Sequence, residues 1–265
     1  FIKINGSYQY QGSDQSSINI APGIGAIYGE SGDYAFGNIY DGNGTFTVTA
    51  PPTNTGTASV TPGSVIDSSA YVADTYTVSF GTNASGKLVY QVTGSKSGQV
   101  LPLPPATFPD QAPVYQSGTD IIFNGISINM SGQPKVGDTF QVQPSTPHNM
   151  LDVLQNTIDL LQTPVGNKGQ FSTAIDQMTA SFGQIATHLY SYQSETGTRS
   201  AAINTQVATN KTMMTNQTIS LSDLENADLP TVYSALSQQS LVLQATQESY
   251  LKMQDVLNKL LQLQF

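Results

Sequence analysis

With 265 residues the chain has room for one large domain or roughly two ordinary ones. Cysteine is absent, which excludes a disulfide framework, a zinc finger and a thiol nucleophile together. A formal net charge of −9, with nine Lys plus Arg, offers no basic face to nucleic acid or to an anionic membrane.

Charged residues make up 10% of the chain, against roughly 25% in typical globular domains, so Ser, Thr, Asn and Gln supply the polarity. Such surfaces are common in extracellular and self-assembling proteins. No apolar run approaches the roughly 18 residues of a membrane span. Because the chain begins at Phe1, it is expected to be a processed or truncated product, and no targeting segment is read from it.

Residues 1–145 carry most of the Gly and Pro, spaced as turns between short alternating runs. Ser17-Ile18-Asn19-Ile20, Thr45-Phe46-Thr47-Val48, Tyr76-Thr77-Val78-Ser79-Phe80 and Leu88-Val89-Tyr90-Gln91-Val92 all predict half-buried strands. Gly81 to Gly86 would close a hairpin between the last two. Asn124-Gly125, between Ile121-Ile122-Phe123 and Ile126-Ser127-Ile128, is the strongest hairpin signal in the chain. The PxxP spacing in Leu101-Pro102-Leu103-Pro104-Pro105 predicts a stiff polyproline connector. This half is predicted to be an antiparallel β domain.

Residues 146–265 change to a helical rhythm. Phe171, Ile175, Met178, Phe182, Ile185, Leu189 and Tyr192 alternate steps of four and three, which is a heptad seam. The pattern weakens through Thr196, Arg199 and Ile203 and recovers at Val207, Met214, Leu221 and Leu224. A second seam runs through Val232, Leu236, Gln239, Leu243, Thr246, Tyr250, Met253, Leu257, Leu260 and Gln264. Narrow apolar stripes on long helices need partner helices, either absent from this chain or supplied by other subunits. A joint is expected near 220–230, where Ser222 with Glu225 fits a capping box and Asp228 before Pro230 fits a fresh helix start. The fold class is therefore α+β: an antiparallel β domain over 1–145, then long coiled-coil-like helices over 146–265.

A search for chemistry returns nothing. His148 and His188 are forty residues apart and read as solvated or helix-flank histidines rather than metal ligands or acid–base groups. Gly23-Ile24-Gly25 followed by Gly29 misses the dinucleotide-binding spacing and reads as a turn-rich loop. Asp223, Glu225 and Asp228 fit no EF-hand loop, and acids near a helix start are favoured by its dipole. The sequons at Asn83, Asn129, Asn210 and Asn216 are expected by chance in so Asn-, Ser- and Thr-rich a chain. No catalytic residue, metal or cofactor is expected.

Three segments together resemble one family. Tyr10-Gln11-Gly12-Ser13-Asp14-Gln15, continuing through Ile18-Asn19-Ile20-Ala21-Pro22-Gly23 to Ser31-Gly32-Asp33-Tyr34-Ala35-Phe36, is similar to the segment after the N-terminal helices of the flagellar hook-associated protein 3 family. Ile122-Phe123-Asn124-Gly125-Ile126-Ser127-Ile128, with Ser131-Gly132-Gln133-Pro134 and Val136-Gly137-Asp138-Thr139-Phe140, resembles the stretch returning from that family's outer domain. Ser222-Asp223-Leu224-Glu225-Asn226-Ala227-Asp228 resembles the motif before the last helix in the family and its flagellin relatives, from which Pro230 departs.

The resemblance implies a secreted, non-enzymatic subunit of the hook–filament junction, exported through the flagellar type III apparatus. Its partners would be copies of itself, hook-associated protein 1 (the proximal junction protein), flagellin, and a cytosolic export chaperone on the C-terminal helix. The N-terminal helices that should pair with residues 150–265 are expected to be missing. Two alternatives stand beside it: a flagellin filament subunit, or a secreted carbohydrate-binding β module on a helical stalk.

Overall fold

The computed structural model describes residues 1–163, 166–227 and 229–262. Two hairpins open the chain, β1 (Ile2–Ile4) with β2 (Ser7–Gln9) and β3 (Ser16–Ala21) with β4 (Ile24–Gly29). A short helix α1 (Gly32–Phe36) follows, capped by the Ser31 hydroxyl, which accepts from the Tyr34 N–H. Next come β5 (Ile39–Tyr40), β6 (Phe46–Thr49), β7 (Ser59–Val60), β8 (Ser64–Val65), β9 (Tyr76–Thr82) and β10 (Leu88–Gly94). The strands end with β11 (Gly98–Leu101), β12 (Thr119–Phe123), β13 (Ile126–Ser131), β14 (Thr139–Pro144) and β15 (Pro147–His148). Helices α2 (Met150–Gln162), α3 (Lys168–Ala227) and α4 (Leu229–Gln262) follow.

The long strands form a five-stranded antiparallel sheet in the order β11-β10-β9-β14-β6. A second antiparallel sheet runs β12-β13-β7, with β8 also pairing β13. Alternation builds the core between them: Tyr76, Val78 and Phe80 on β9 are buried, while Thr77 and Ser79 between them are only half-buried. They join Phe46, Val48, Phe140 and Val142 from one sheet and Ile121, Phe123, Ile126, Ile128 and Met130 from the other. Tyr76 sits edge-on to Phe123 at 5.0 Å, and its hydroxyl donates to Val72 O and accepts from Asn124 Nδ2.

The predicted strands at Ser17–Ile20, Thr45–Val48, Tyr76–Phe80 and Leu88–Val92 fall within β3, β6, β9 and β10, with the ends shifted by a residue or two. At the predicted Asn-Gly turn, Phe123 pairs with Ile126, and Asn124 and Gly125 have φ of 42° and 77°. Both central residues of a type I′ turn need positive φ, which Asn and Gly tolerate best. The PxxP stretch is not the extended connector expected. It turns, with the Ala106 N–H bonding Leu103 O, and the Gln99 amide holds it by donating to Pro102 O and Ala106 O.

Helix α2 is capped by Asn149, whose side chain accepts from the Leu151 N–H at 2.8 Å. Helix α3 runs 60 residues through a Thr-rich sequence of modest helix propensity. Its threonines point their hydroxyls down the helix: Thr179, Thr187, Thr196, Thr205 and Thr212, among others, each donate to the carbonyl four residues back. A hydroxyl engaged this way no longer competes for the backbone of the next turn. Ser222 and Glu225 do not form the expected capping box. Both lie inside α3, and Ser222 O and Oγ face the Asn226 side-chain amide rather than a helix start. Asp228 lies outside the described residues.

The chain divides into two compact units. One comprises Phe1–Ile18 and Gly25–Arg199; the other comprises Asn19–Ile24 and Ser200–Phe265.

Candidate assembly surfaces

Sheet order leaves β6 and β7 as edge strands in the first unit. Unpaired edges invite strand addition from other chains, and native proteins cover them. Here a polar row on α3 does so. Gln177 Oε1 accepts from the Val48 N–H and the Thr47 hydroxyl, both at 3.3 Å, and Thr173 Oγ1 accepts from the Val60 N–H at 2.9 Å. Ser181 Oγ accepts from the Gly42 N–H at 3.0 Å, and Gln170 Nε2 donates to Pro51 O at 2.7 Å. All four polar side chains are buried. The apolar rhythm of this helix had drawn attention to a different face. The missed signal was the spacing of Thr173, Gln177 and Ser181, which repeats every four residues.

The first predicted seam divides in the structure. Ile185 is buried and, with Leu189 partly covered, packs among Ile39, Met150 and Val153. Tyr192 lies edge-on to Tyr34 at 6.1 Å. Ile175 and Met178 are half-buried, whereas Phe171 and Phe182 are exposed.

Near Tyr192 the Arg199 guanidinium bridges Glu30 and Glu195, and the Tyr34 hydroxyl donates to Glu195 at 2.8 Å. The Tyr34 bond, followed by Arg199, holds the Glu195 carboxyl below its ordinary value. His188 Nε2 lies 3.1 Å from Tyr34 O. His148 contacts Thr146 Oγ1 at 2.9 Å and lies 3.6 Å from the Asp41 carboxylate, which raises its pKa. These are tethers between neighbouring segments. Among the described residues, no group of three His, Asp or Glu side chains could hold a metal ion.

In the second unit, Asn210 Nδ2 donates to Ile20 O at 2.9 Å. Val207, Met214, Leu221 and Leu224 on α3 are exposed. On α4, Val232, Leu236, Leu243, Tyr250, Met253 and Leu257 are each more than half exposed; Leu260 and Gln264 of that seam lie outside the described side chains. Val242 and Val256, also exposed, flank the seam at the intervening heptad position. They widen the stripe where they fall, most fully around Tyr250, Met253 and Val256, whereas Gln239, Thr246 and Ser249 interrupt it.

No protein-family model and no curated protein matches the chain. Solved structures do. The flagellar junction protein FlgL of Legionella pneumophila is 34% identical, covers 79% of this chain and 66% of its own, and superposes with a TM-score of 0.73. Flagellar hook-associated protein 3 from the same organism gives 33% identity, 81% and 66% coverage, and a TM-score of 0.75.

The chain belongs to the hook-associated protein 3 family.

It spans just under two thirds of the length of those Legionella family members, 66%. FlgL of Xanthomonas campestris, at 24% identity, 84% and 69% coverage and a TM-score of 0.68, shares the fold. The segments by which the sequence resembled the family have structural roles in this member. Ser31 caps α1, Asn124-Gly125 turns β12 into β13, and Asp138 accepts from the backbone N–H groups of Thr55, Gly56 and Lys135.

Proposed function

We propose that this chain is a structural subunit of the junction between the bacterial flagellar hook and filament, outside the cell. Its likeness to the Legionella junction protein, 34% identity over 79% of the chain, carries this reading. The exposed stripe of α4 supplies the means of assembly. Fully burying a large apolar side chain is worth roughly 1.5–3 kcal/mol, so a few such contacts with neighbouring subunits offset the cost of ordering the helix.

The proposed partners are copies of the chain, hook-associated protein 1 and flagellin, with an export chaperone covering the C-terminal helix beforehand. The composition boundary serves this division of labour, with 1–145 as outer domain and returning strands and 146–265 as the assembly region. The chain has no enzymatic role in this reading, and its buried carboxylates support that. Asp74 and Asp138 are saturated by hydrogen bonds from neighbouring backbone and serine groups. No observation favours a flagellin or a carbohydrate-binding module.

Replacing Leu243 and Leu257 together with Asp tests the assignment. In cells carrying only this variant, filaments should fail to join the hook, while circular dichroism of the purified chain keeps its β signal and cooperative melt. Normal filaments on a folded double variant would refute the role given to α4.

A further inference from the structure

A cavity of about 300 Å³ lies between the free edge of β6 and the helices α2 and α3. Val48, Val153 and Met178 give it apolar walls, and Gln143, Asn156 and Gln177 bring polar side chains to it. Gln177 is 7% exposed, and its Nε2 has no hydrogen-bond partner among the described residues. Rotating the amide does not help, because Oε1 is fixed as acceptor for the Val48 N–H and the Thr47 hydroxyl. A flipped amide would set donor against donor at Val48. A buried donor without an acceptor is costly, and buried polar groups almost always find one in protein or solvent. A cavity with room for several waters, bordered at this end by the side chains of Gln143, Asn156 and Gln177, supplies that acceptor.

We propose that this cavity is a binding site for a cluster of ordered water that accepts from Gln177 Nε2, so that α3 is attached to β6 partly through solvent. The attachment then has two unequal halves. The Val60 N–H is held by the Thr173 hydroxyl at 2.9 Å; Thr173 lines the cavity, but Val60 does not. The Val48 N–H is held by Gln177 at the longer distance of 3.3 Å and does line it. Both valines are 0% exposed, so burial does not distinguish them. The cavity reaches both partners of the Gln177 bond but only the acceptor of the Thr173 bond, and with its longer distance this makes the Gln177 contact the place where α3 first lifts from the β body.

Two measurements on the intact chain test this. A crystal structure at high resolution should show water within hydrogen-bonding distance of Gln177 Nε2, and xenon pressurisation should leave the cavity free of xenon. Xenon occupying a dry cavity would overturn the proposal, since apolar cavities stay dry and take up such atoms. In native-state hydrogen exchange the Val48 amide should exchange on the order of tenfold faster than that of Val60. Equal rates would also overturn it. Ala174→Leu, which places apolar volume in the cavity, should bring the Val48 rate down toward that of Val60. An unchanged Val48 rate in a folded Ala174→Leu protein counts against the solvent site, and the wild-type measurements decide the matter if that variant does not fold.

Discussion

Asp74 lies buried beside the turn from β10 to β11 and accepts from Ser95 Oγ, the Lys96 and Ser97 N–H groups and Ser97 Oγ. Burial pushes its carboxyl upward, but these bonds outweigh burial and hold it far below the carboxylate range. A depressed folded value means that the stabilisation is complete above the ordinary value of 3.8 and fades as the pH falls below it. Asp74→Asn should therefore lower the urea midpoint more at pH 7 than at pH 3; an equal loss at both would show that the charge is irrelevant. His148 has the opposite sign. The Asp41 carboxylate raises it from 6.5 against the opposing effect of burial, so its contribution is full below 6.5 and lost as the pH rises through the elevated value. The pair is partly solvated, and His148→Ala should cost less than about 1 kcal/mol at pH 5.5 and less again at pH 9, where only the Thr146 contact remains. Urea melts at the two pH values check this.

At the scale of elements, the attachment of α3 to the strand edges decides how helix and β body form one unit. Thr173→Val keeps the shape of the side chain but removes the acceptor for the Val60 N–H, which should cost about 1–3 kcal/mol. Thr173→Ser restores the acceptor and should recover most of that loss in the urea midpoint. A valine variant as stable as wild type would mean that the bond contributes nothing. This contact could not be read from the sequence. A polar row on a helix ordinarily reads as a solvated face, and β6 and β7 are edges only because of a strand order fixed by distant pairings. The strands themselves were legible, because β9 and β13 bury one face and so alternate visibly, and because Asn124-Gly125 permits little but a tight hairpin. The helical rhythm was legible for the same periodic reason, although Phe171 and Phe182 turned out exposed where Ile185 is buried. Ser222 and Glu225 misled because a capping box is a local signal, and the intact helical turns around Asn226 override it.

For the molecule as a whole, the chief physical fact is an apolar stripe left open along α4. Glu248 precedes Lys252 and Asp255 precedes Lys259 at the four-residue spacing, in the order that favours a helix, yet such pairs add only about 0.2–0.5 kcal/mol each. Helices gain most of their stability from packing, and no described α4 side chain is buried. The free chain should therefore open α4 readily. Its amides from Val232 to Leu257 should exchange at least about tenfold faster than those of Val78 and Ile128, which lie in the closed β core. Assembly should reverse the order of events on α4 alone: once neighbouring helices cover Leu236, Leu243, Tyr250 and Leu257, these amides should slow while the β core keeps its rates. Because the stripe is apolar and the chain sparsely charged, this slowing should persist from low to high ionic strength, where an interface built on ion pairs would weaken. Hydrogen exchange followed by mass spectrometry, on the purified chain and on hooks bearing the assembled junction, separates the possibilities. If α4 is already as protected as the β core in the free chain, its stripe is covered without assembly, and the proposal that neighbouring subunits bury it fails.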